Sequence, residues 1–430
     1  MKQVYLPSRR EWQQLIARPL HESDKLEEFI ESITKQIVNK GDTALRELSA
    51  LYDGANLKTL SVGSSEICKR ARLVPDELKQ AMSVAIDNIS SFHQHCSAGE
   101  QEVESIPGVR CWSRAVPLES VGLYVPGGSA PLFSTLLMLA VPAGLAGCDQ
   151  VVVSTPPDSE GKLAPVIAAA AELLEISEVH LIGGAQAIIA MAVGTESVPA
   201  VDKIFGPGNQ YVTAAKQYAQ SKLGVAIDLP AGPSELLVIA DCTANSQYLA
   251  ADLLSQAEHG ADSQVVIVSD SRELLDCVQE QIDLQLSTLP RKEIASSALA
   301  NGLALQVTDI KEAIEFSNFY APEHLILALD DAESLALDVR HAGSVFLGRW
   351  TPESLGDYAS GTNHTLPTNR AARYCAGVSV ESFLKRITFQ SATKSGLLKL
   401  GRLVTVMARA EGLEGHARSI LIRTELENRD

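Results

Sequence analysis

The spacing of hydrophobic positions in this chain changes character near residue 120. Before that point apolar residues recur three and four apart, as in Leu26, Phe29, Ile30, Ile33, Ile37 and Val38. With Gly41 as a stop, this predicts a helix over 26–38. A second helix is predicted over 75–95, whereas the mixed polarity of 107–117 reads as turns. From Ser120 onward, short apolar runs alternate with helical stretches, and strands are predicted at 121–125, 151–154, 178–182, 236–240, 265–269, 303–307, 324–329 and 344–347. Val151-Val152-Val153 and Val265-Val266-Ile267-Val268 are apolar at every position rather than every second one. Strands of that kind are buried on both faces, which predicts mostly parallel sheets flanked by helices.

The strand series has a seam near Ala231-Gly232-Pro233, so two α/β units of comparable size are expected. After Thr368 the strands stop, and 381–428 reads as a helical tail. A length of 430 residues supports this division, because single cores seldom exceed 250–300 residues. The net charge of −17 argues against a nucleic-acid partner, whose phosphates demand clustered Lys and Arg. It does not exclude a dinucleotide, which backbone N–H groups and helix N-termini can hold locally. The opening MKQVYLPSRREWQQ lacks the apolar core of a secretory signal, and the longest apolar run, 131–145, contains two prolines and is too short to span a bilayer. A cytoplasmic protein with no membrane partner is the expectation. The seven cysteines are scattered and form no C-x-x-C pair, so a disulfide framework and a sulfur-ligated zinc site are both unexpected. Most should be small buried hydrophobes, although one of them could serve as a nucleophile.

Four polar constellations carry candidate chemistry. Gln256 and His259 lie three apart at the end of a predicted helix, with Gly260 behind them as a terminator, and can turn an amide oxygen and an imidazole nitrogen toward one metal ion. The same pair also suits an ordinary solvated helix end. Glu323-His324 opens an apolar strand, where an acid and an imidazole can divide proton transfer between them, or merely begin the strand. The loop 352–367 concentrates Asp357, Asn363 and His364, and Asp357 would be a hard oxygen ligand. Glu411 and His416 fall in the helical tail, where they read as surface residues. Two glycine-rich stretches, 122–130 and 205–209, lead from strands toward helices, with Asn209 as a plausible cap. Neither matches G-x-G-x-x-G, so both also read as tight turns.

Taken together these stretches resemble the histidinol dehydrogenase family over nearly the whole chain. The resemblance is carried by VGLYVPGGSAPLFSTLLMLAVPA (121–143), GGAQAIIAMAVGTESVPAVDKIFGPGNQYVTAAK (183–216), DLPAGPSELLVIAD (228–241), DLLSQAEHGADSQV (252–265), NFYAPEHL (318–325), AGSVFLG (342–348) and PESLGDYASGTNHTLPT (352–368). It implies two Rossmann-like α/β domains with mostly parallel sheets, plus small N-terminal and C-terminal helical segments. The implied division is an N-terminal segment 1–20, a main α/β domain of 21–123 and 235–378 carrying the metal and substrate site, a second α/β domain 124–234 contacting NAD, and a helical tail 379–430. The implied reaction is the oxidation of L-histidinol to L-histidine by two NAD⁺ and water, through a bound aldehyde. By resemblance, Gln256, His259, Asp357 and His416 would hold one zinc ion per subunit, His324 would accept the alcohol proton, and Glu323 would activate water. Ser234, His364 and Glu411 would contact substrate together with Gln256, His259, His324, Asp357 and His416; Tyr124, Gln186 and Asn209 would line the NAD site. The family is similar to homodimers whose tails cross, so His416 would complete the partner's site. Two other readings stand beside this one: a sister dehydrogenase acting on another small alcohol, and a zinc hydrolase.

Overall fold

The computed structural model describes every residue except 17, 19–22, 97–100, 128–130, 230–231 and 426–430. Gly128, Ser129 and Ala130 of the first glycine-rich stretch, and Ala231 of the seam, therefore lie outside the described residues. The chain forms two compact units, Met1–His95 with Leu118–Phe383, and Cys96–Pro117 with Leu384–Asp430.

The first unit contains two six-stranded sheets. One runs Lys2–Tyr5, Leu303–Gln306, Gln264–Ser269, Glu235–Ala240, His324–Ala328, Ser344–Leu347, and every pairing is parallel. The other runs Ser61–Gly63, Glu178–His180, Gln150–Ser154, Ser120–Tyr124, Lys203–Phe205, Ala226–Ile227, with only the Ser61–Gly63 edge antiparallel. The fold is thus the expected α/β class with mostly parallel sheets, and all eight anticipated strands are present to within a residue or two. Glu235–Ala240 and Gln264–Ser269 are buried at every position, because helices cover both faces of their sheet. Leu249, Leu253, Leu275 and Val278 pack on one side; Trp12, Ile314 and Phe316 pack on the other. Ser61–Gly63, and Ser120–Tyr124 up to Leu123, come from the stretch assigned above to the main domain, yet they pair within the second sheet.

Trp12 fastens the N-terminal segment to the first sheet. It is 4% exposed and meets Phe316 edge-on at 5.3 Å. Trp12→Ala is expected to destabilise the protein by about 3–5 kcal/mol, read as a shifted midpoint in chemical unfolding.

The second unit corrects two expectations. Residues Val109–Pro117 form a strand rather than turns, and Leu384–Ala392 is a further strand where only helices were foreseen. Both are antiparallel partners, with Gln101–Ile106 on the far side of Val109–Pro117. Trp112 lies opposite Phe389 and stacks on it at 5.4 Å. The helices Lys394–Ala410 and Glu414–Glu425 follow, as expected of the tail.

No helix among the described residues is long and apolar enough to cross a membrane. The cysteines depart from expectation: Cys68, Cys111, Cys148 and Cys375 are half-buried, and Cys96, Cys242 and Cys277 are exposed. Cys68 and Cys277 lie on helices, Cys111 lies on the central strand of the three-stranded sheet, and Cys96, Cys148, Cys242 and Cys375 lie outside helices and strands.

Candidate active site

Strand polarity explains how residues far apart in sequence converge. In a parallel sheet the intervening helix runs back against the strands, so the end of Ser246–Ala257 returns to the amino edge of the first sheet. That edge also carries Ser234 and Glu323, each just ahead of its strand. The register pairs His324 with Leu236, which places Glu323-His324 beside Glu235. The helix stops at Ala257, one turn earlier than Gly260 suggested. Gly260 instead opens a turn, its N–H donating to Ser263 Oγ at 3.1 Å.

Around this edge the chain buries an unusual density of ionisable groups. Glu323 Oε2 accepts the Glu235 N–H at 2.8 Å, and His324 Nδ1 donates to the Glu235 carbonyl at 3.2 Å. A carbonyl can only accept, so Nδ1 carries the proton and Nε2 presents a lone pair. His324 Nε2 is buried without a hydrogen-bond partner and lies 3.6 Å from Asp357 Oδ1. Glu353 Oε1 is 3.2 Å from His324 Nδ1. His364 donates from Nδ1 to the Asp357 carbonyl at 2.8 Å, which ties the polar loop to the same cluster. Burial holds His324 down to about 3 and His364 to about 4, so both imidazoles are neutral. Burial, reinforced by neighbouring carboxylates, raises Glu323 and Glu353 well above the carboxylate range, and burial pushes Asp357 up to about 7.

A second shared anchor is Glu235, itself wholly buried. Its carboxylate receives a guanidinium fork from Arg18, with Arg18 Nη2 at 2.9 Å from Oε2, and the Asn369 N–H at 2.9 Å. Arg18 also lies over the Tyr320 ring at 4.2 Å. Arg18→Met strands the Glu235 charge, and a loss of about 3–5 kcal/mol in unfolding free energy is expected.

Beside the cluster opens a cleft of about 1190 Å³. One wall is the amino edge of the first sheet, through Ser234, Glu323 and His259. The other is the carboxyl edge of the second sheet, through Pro126, Gly127 and Gly206 to Asn209. The second sheet reverses strand order between Ser120–Tyr124 and Lys203–Phe205. Crevices at the carboxyl ends of strands at such a switch point are where α/β sheets take nucleotides. Of the residues anticipated for NAD, Asn209 lines the cleft and caps Gln210–Tyr218, accepting from Tyr211 and Val212 N–H. Tyr124 and Gln186 are buried and do not line it; the Tyr124 hydroxyl accepts from Gly184 N–H at 3.0 Å, and Gln186 donates to Asp53 at 3.3 Å. His364 is on the wall, whereas Gln256 and His324 are buried, 1% and 5% exposed.

The donor set fits a divalent cation. Gln256 holds a buried amide nitrogen without a partner, which leaves the orientation of that amide open to a ligand for its oxygen. His259 stands on the cleft wall, where partial desolvation lowers its proton affinity and favours the neutral form that ligates, and it lies close enough to His324 and His364 to depress both. Asp357 is a half-buried carboxylate whose ionised form a cation would favour. One donor atom each from His324, Glu353 and Asp357 also lie within 4.8 Å of one another, a second possible triad sharing Asp357. Glu411 ends Lys394–Ala410 and His416 sits on Glu414–Glu425; both are exposed and belong to the second unit. Sequence reasoning passed over Glu353. A glutamate in the first turn of a helix normally reads as a solvated favourable charge, yet this one is 1% exposed and faces His324.

Fold and cleft define an α/β enzyme with buried acid and imidazole groups beside a switch-point crevice. Sequence comparison narrows the class. The profile described as histidinol dehydrogenase matches residues 16–424. The chain is similar to a histidinol dehydrogenase of Bacteroides thetaiotaomicron, 49% identical over 98% of this chain and 99% of the relative. It is also similar to one of Xylella fastidiosa, 51% identical over 92% of each. The crystal structure of histidinol dehydrogenase from Elizabethkingia anophelis superposes with a TM-score of 0.97 at 49% identity, covering 100% of this chain and 99% of that one. The chain belongs to the histidinol dehydrogenase family and is an oxidoreductase.

Proposed function

We propose that this enzyme carries out the four-electron oxidation of L-histidinol to L-histidine, the closing oxidation of histidine biosynthesis, with two NAD⁺ and one water. The observation that carries the reading is the bare, buried Nε2 of His324 beside the cleft-lining Glu323. His324 takes the hydroxyl proton as the carbinol carbon loses hydride. Its Nδ1–H stays anchored on the Glu235 carbonyl, which keeps Nε2 aimed and unprotonated beforehand. Glu323, whose burial raises its proton affinity, then acts in its ionised form to remove a proton from the water that adds to the aldehyde. Ser234 and His364 contact substrate from the cleft wall.

Gln256, His259 and Asp357 would hold zinc, which when bound supplies a template that orients the substrate's nitrogens. NAD⁺ would lie across Gly206–Asn209 and accept hydride, the N–H groups at the start of Gln210–Tyr218 facing its pyrophosphate. Tyr124 and Gln186 would act by buttressing that wall, since both are buried. We further propose a cytoplasmic homodimer in which the exposed Glu411 and His416 of one subunit complete the partner's site.

The test is direct. Purified protein with L-histidinol and NAD⁺ is expected to generate NADH absorbance, and a chelator is expected to stop it. No NADH, or full activity after verified zinc removal, would sink the proposal. Glu323→Gln is expected to oxidise histidinol to the aldehyde but to slow conversion of supplied histidinal by about 10²-fold or more. Wild-type turnover of histidinal by this variant removes Glu323 from the water step.

A further inference from the structure

We propose that Lys216 and Asp228 are positioning residues for the dinucleotide: a buried ion pair that fixes the Gly206 peptide and thereby presents the N–H groups after it. The assignment rests on the cofactor reading above. Lys216 lies in the helix Gln210–Tyr218, and its side chain and that of Asp228 are each 1% exposed. The face of the helix it occupies is otherwise apolar, with Val212, Ala215 and Ala219 buried beside it. A methionine would fill such a place. Buried ion pairs add little stability over well-packed apolar side chains, so stability alone does not explain the charges.

The contacts of the pair converge on one residue, gripping the peptide groups on either side of it. Lys216 Nζ is ion-paired with Asp228 Oδ1 and donates to the Gly206 carbonyl at 2.9 Å. Asp228 Oδ2 accepts the Gly206 N–H at 2.8 Å, while Oδ1 accepts Leu229 N–H at 2.7 Å. Gly206 is thus gripped at its amide and its carbonyl by opposite charges. The grip matters because this residue cannot be restrained by a side chain. Its φ is +131°, and a Cβ there would lie 2.2 Å from the Tyr124 carbonyl oxygen. Glycine is needed for the close approach, and glycine is also the residue with the most backbone freedom. The ion pair removes that freedom.

What the clamp presents lies immediately downstream. The Asn209 side chain takes the N–H groups of Tyr211 and Val212, and the Asn209 carbonyl takes that of Thr213. Among the described residues the N–H groups of Gly208, Asn209 and Gln210 have no acceptor, and all three residues line the cleft. Three free donors at a helix N-terminus, on a loop held in one orientation, form a preorganised cradle for a pyrophosphate.

The experiment compares full-length wild type, Lys216→Met, Lys216→Arg and Lys216→Met/Asp228→Asn. The double variant removes both charges, so no lone carboxylate is left buried to unfold it. In every folded variant lacking the pair, KM for NAD⁺ is expected to rise by about ten- to a hundredfold, with kcat and KM for L-histidinol unchanged. Lys216→Arg should recover part of the loss. A purely structural pair would instead lower the melting temperature and leave KM for NAD⁺ alone, and that result overturns the assignment. Residue-resolved hydrogen exchange on the unmodified enzyme gives an independent reading. The Gly206 amide should exchange slowly with or without NAD⁺, and those of Gly208 and Asn209 should slow only when NAD⁺ is present. Fast exchange at Gly206 overturns the clamp. A wild-type enzyme that binds no NAD⁺ overturns the cofactor reading and this assignment with it; wild-type binding with unaltered variants overturns the assignment alone.

Discussion

His324→Asn is expected to lower kcat by about 10²- to 10⁴-fold while zinc content stays at the wild-type ratio. The size follows from what asparagine lacks, namely a nitrogen that accepts a proton. In the wild type the tautomer is set by the Glu235 carbonyl 3.2 Å from Nδ1, and Glu353 Oε1 stands 3.2 Å from Nδ1 on the same side. Asparagine can reproduce the bond to the carbonyl but leaves no base facing Asp357. Steady-state kinetics and metal analysis on the same preparation give the two readouts. Loss of zinc together with activity would mean that the His324, Glu353 and Asp357 donors, which lie within 4.8 Å of one another, hold the ion instead. Unchanged kcat would remove the base. Glu353→Gln should produce a smaller fall, because the amide still borders Nδ1 but no longer supports charge on the ring.

The same residues show what was legible beforehand. Strands that are apolar at every position announced themselves, since only burial on both faces permits Val265-Val266-Ile267-Val268. Leu384–Ala392 did not, because it is largely exposed and carries Lys385, Arg386, Thr388 and Gln390 among its apolar positions. Strands of two or three residues, such as Ala226–Ile227 and Ser61–Gly63, are too short to show any period. They exist because neighbouring strands supply their hydrogen bonds. In the site, Gln256 and His259 were visible as a helical i, i+3 pair, and Glu323-His324 as polar residues heading an apolar strand. Nothing in the spacing of Glu353 distinguishes a buried partner of His324 from a solvated first-turn acid. Its role arises from the packing of Glu353–Tyr358 against a strand some thirty residues away, which is a tertiary fact. Lys216 and Asp228 were hidden for the same reason: each is an ordinary charged residue until the fold removes water from both.

Removing zinc is expected to abolish turnover and also to leave a protein whose stability falls as pH rises above about 6.5. The sign follows from the buried carboxyls. Asp357 is pushed up to about 7 from an ordinary 3.8, and Glu323 and Glu353 lie well above 4.5, so the folded chain holds protons that the unfolded chain has already released. Where the folded state binds more protons, stability declines with rising pH, by up to about 1.4 kcal/mol per pH unit for each protonated carboxyl. The histidines act in the opposite direction but in a different range. His324 and His364 are depressed below 6.5, so their contribution is complete above that value and is lost only as pH falls beneath it. The interval from 6.5 to about 8 therefore isolates the carboxyls. Metal binding reverses the trend, because a cation favours the ionised form of Asp357 and binds more tightly as protons leave. Thermal melts of chelated and zinc-loaded protein across that interval should diverge progressively, with the gap widest at the alkaline end. Asp357→Asn should not bind zinc at wild-type stoichiometry, and its melts should lose the part of the slope that Asp357 supplies. Parallel melts for chelated and loaded wild type would show that the buried carboxylates do not hold the ion, and the ligand assignment would then fail at Asp357 first.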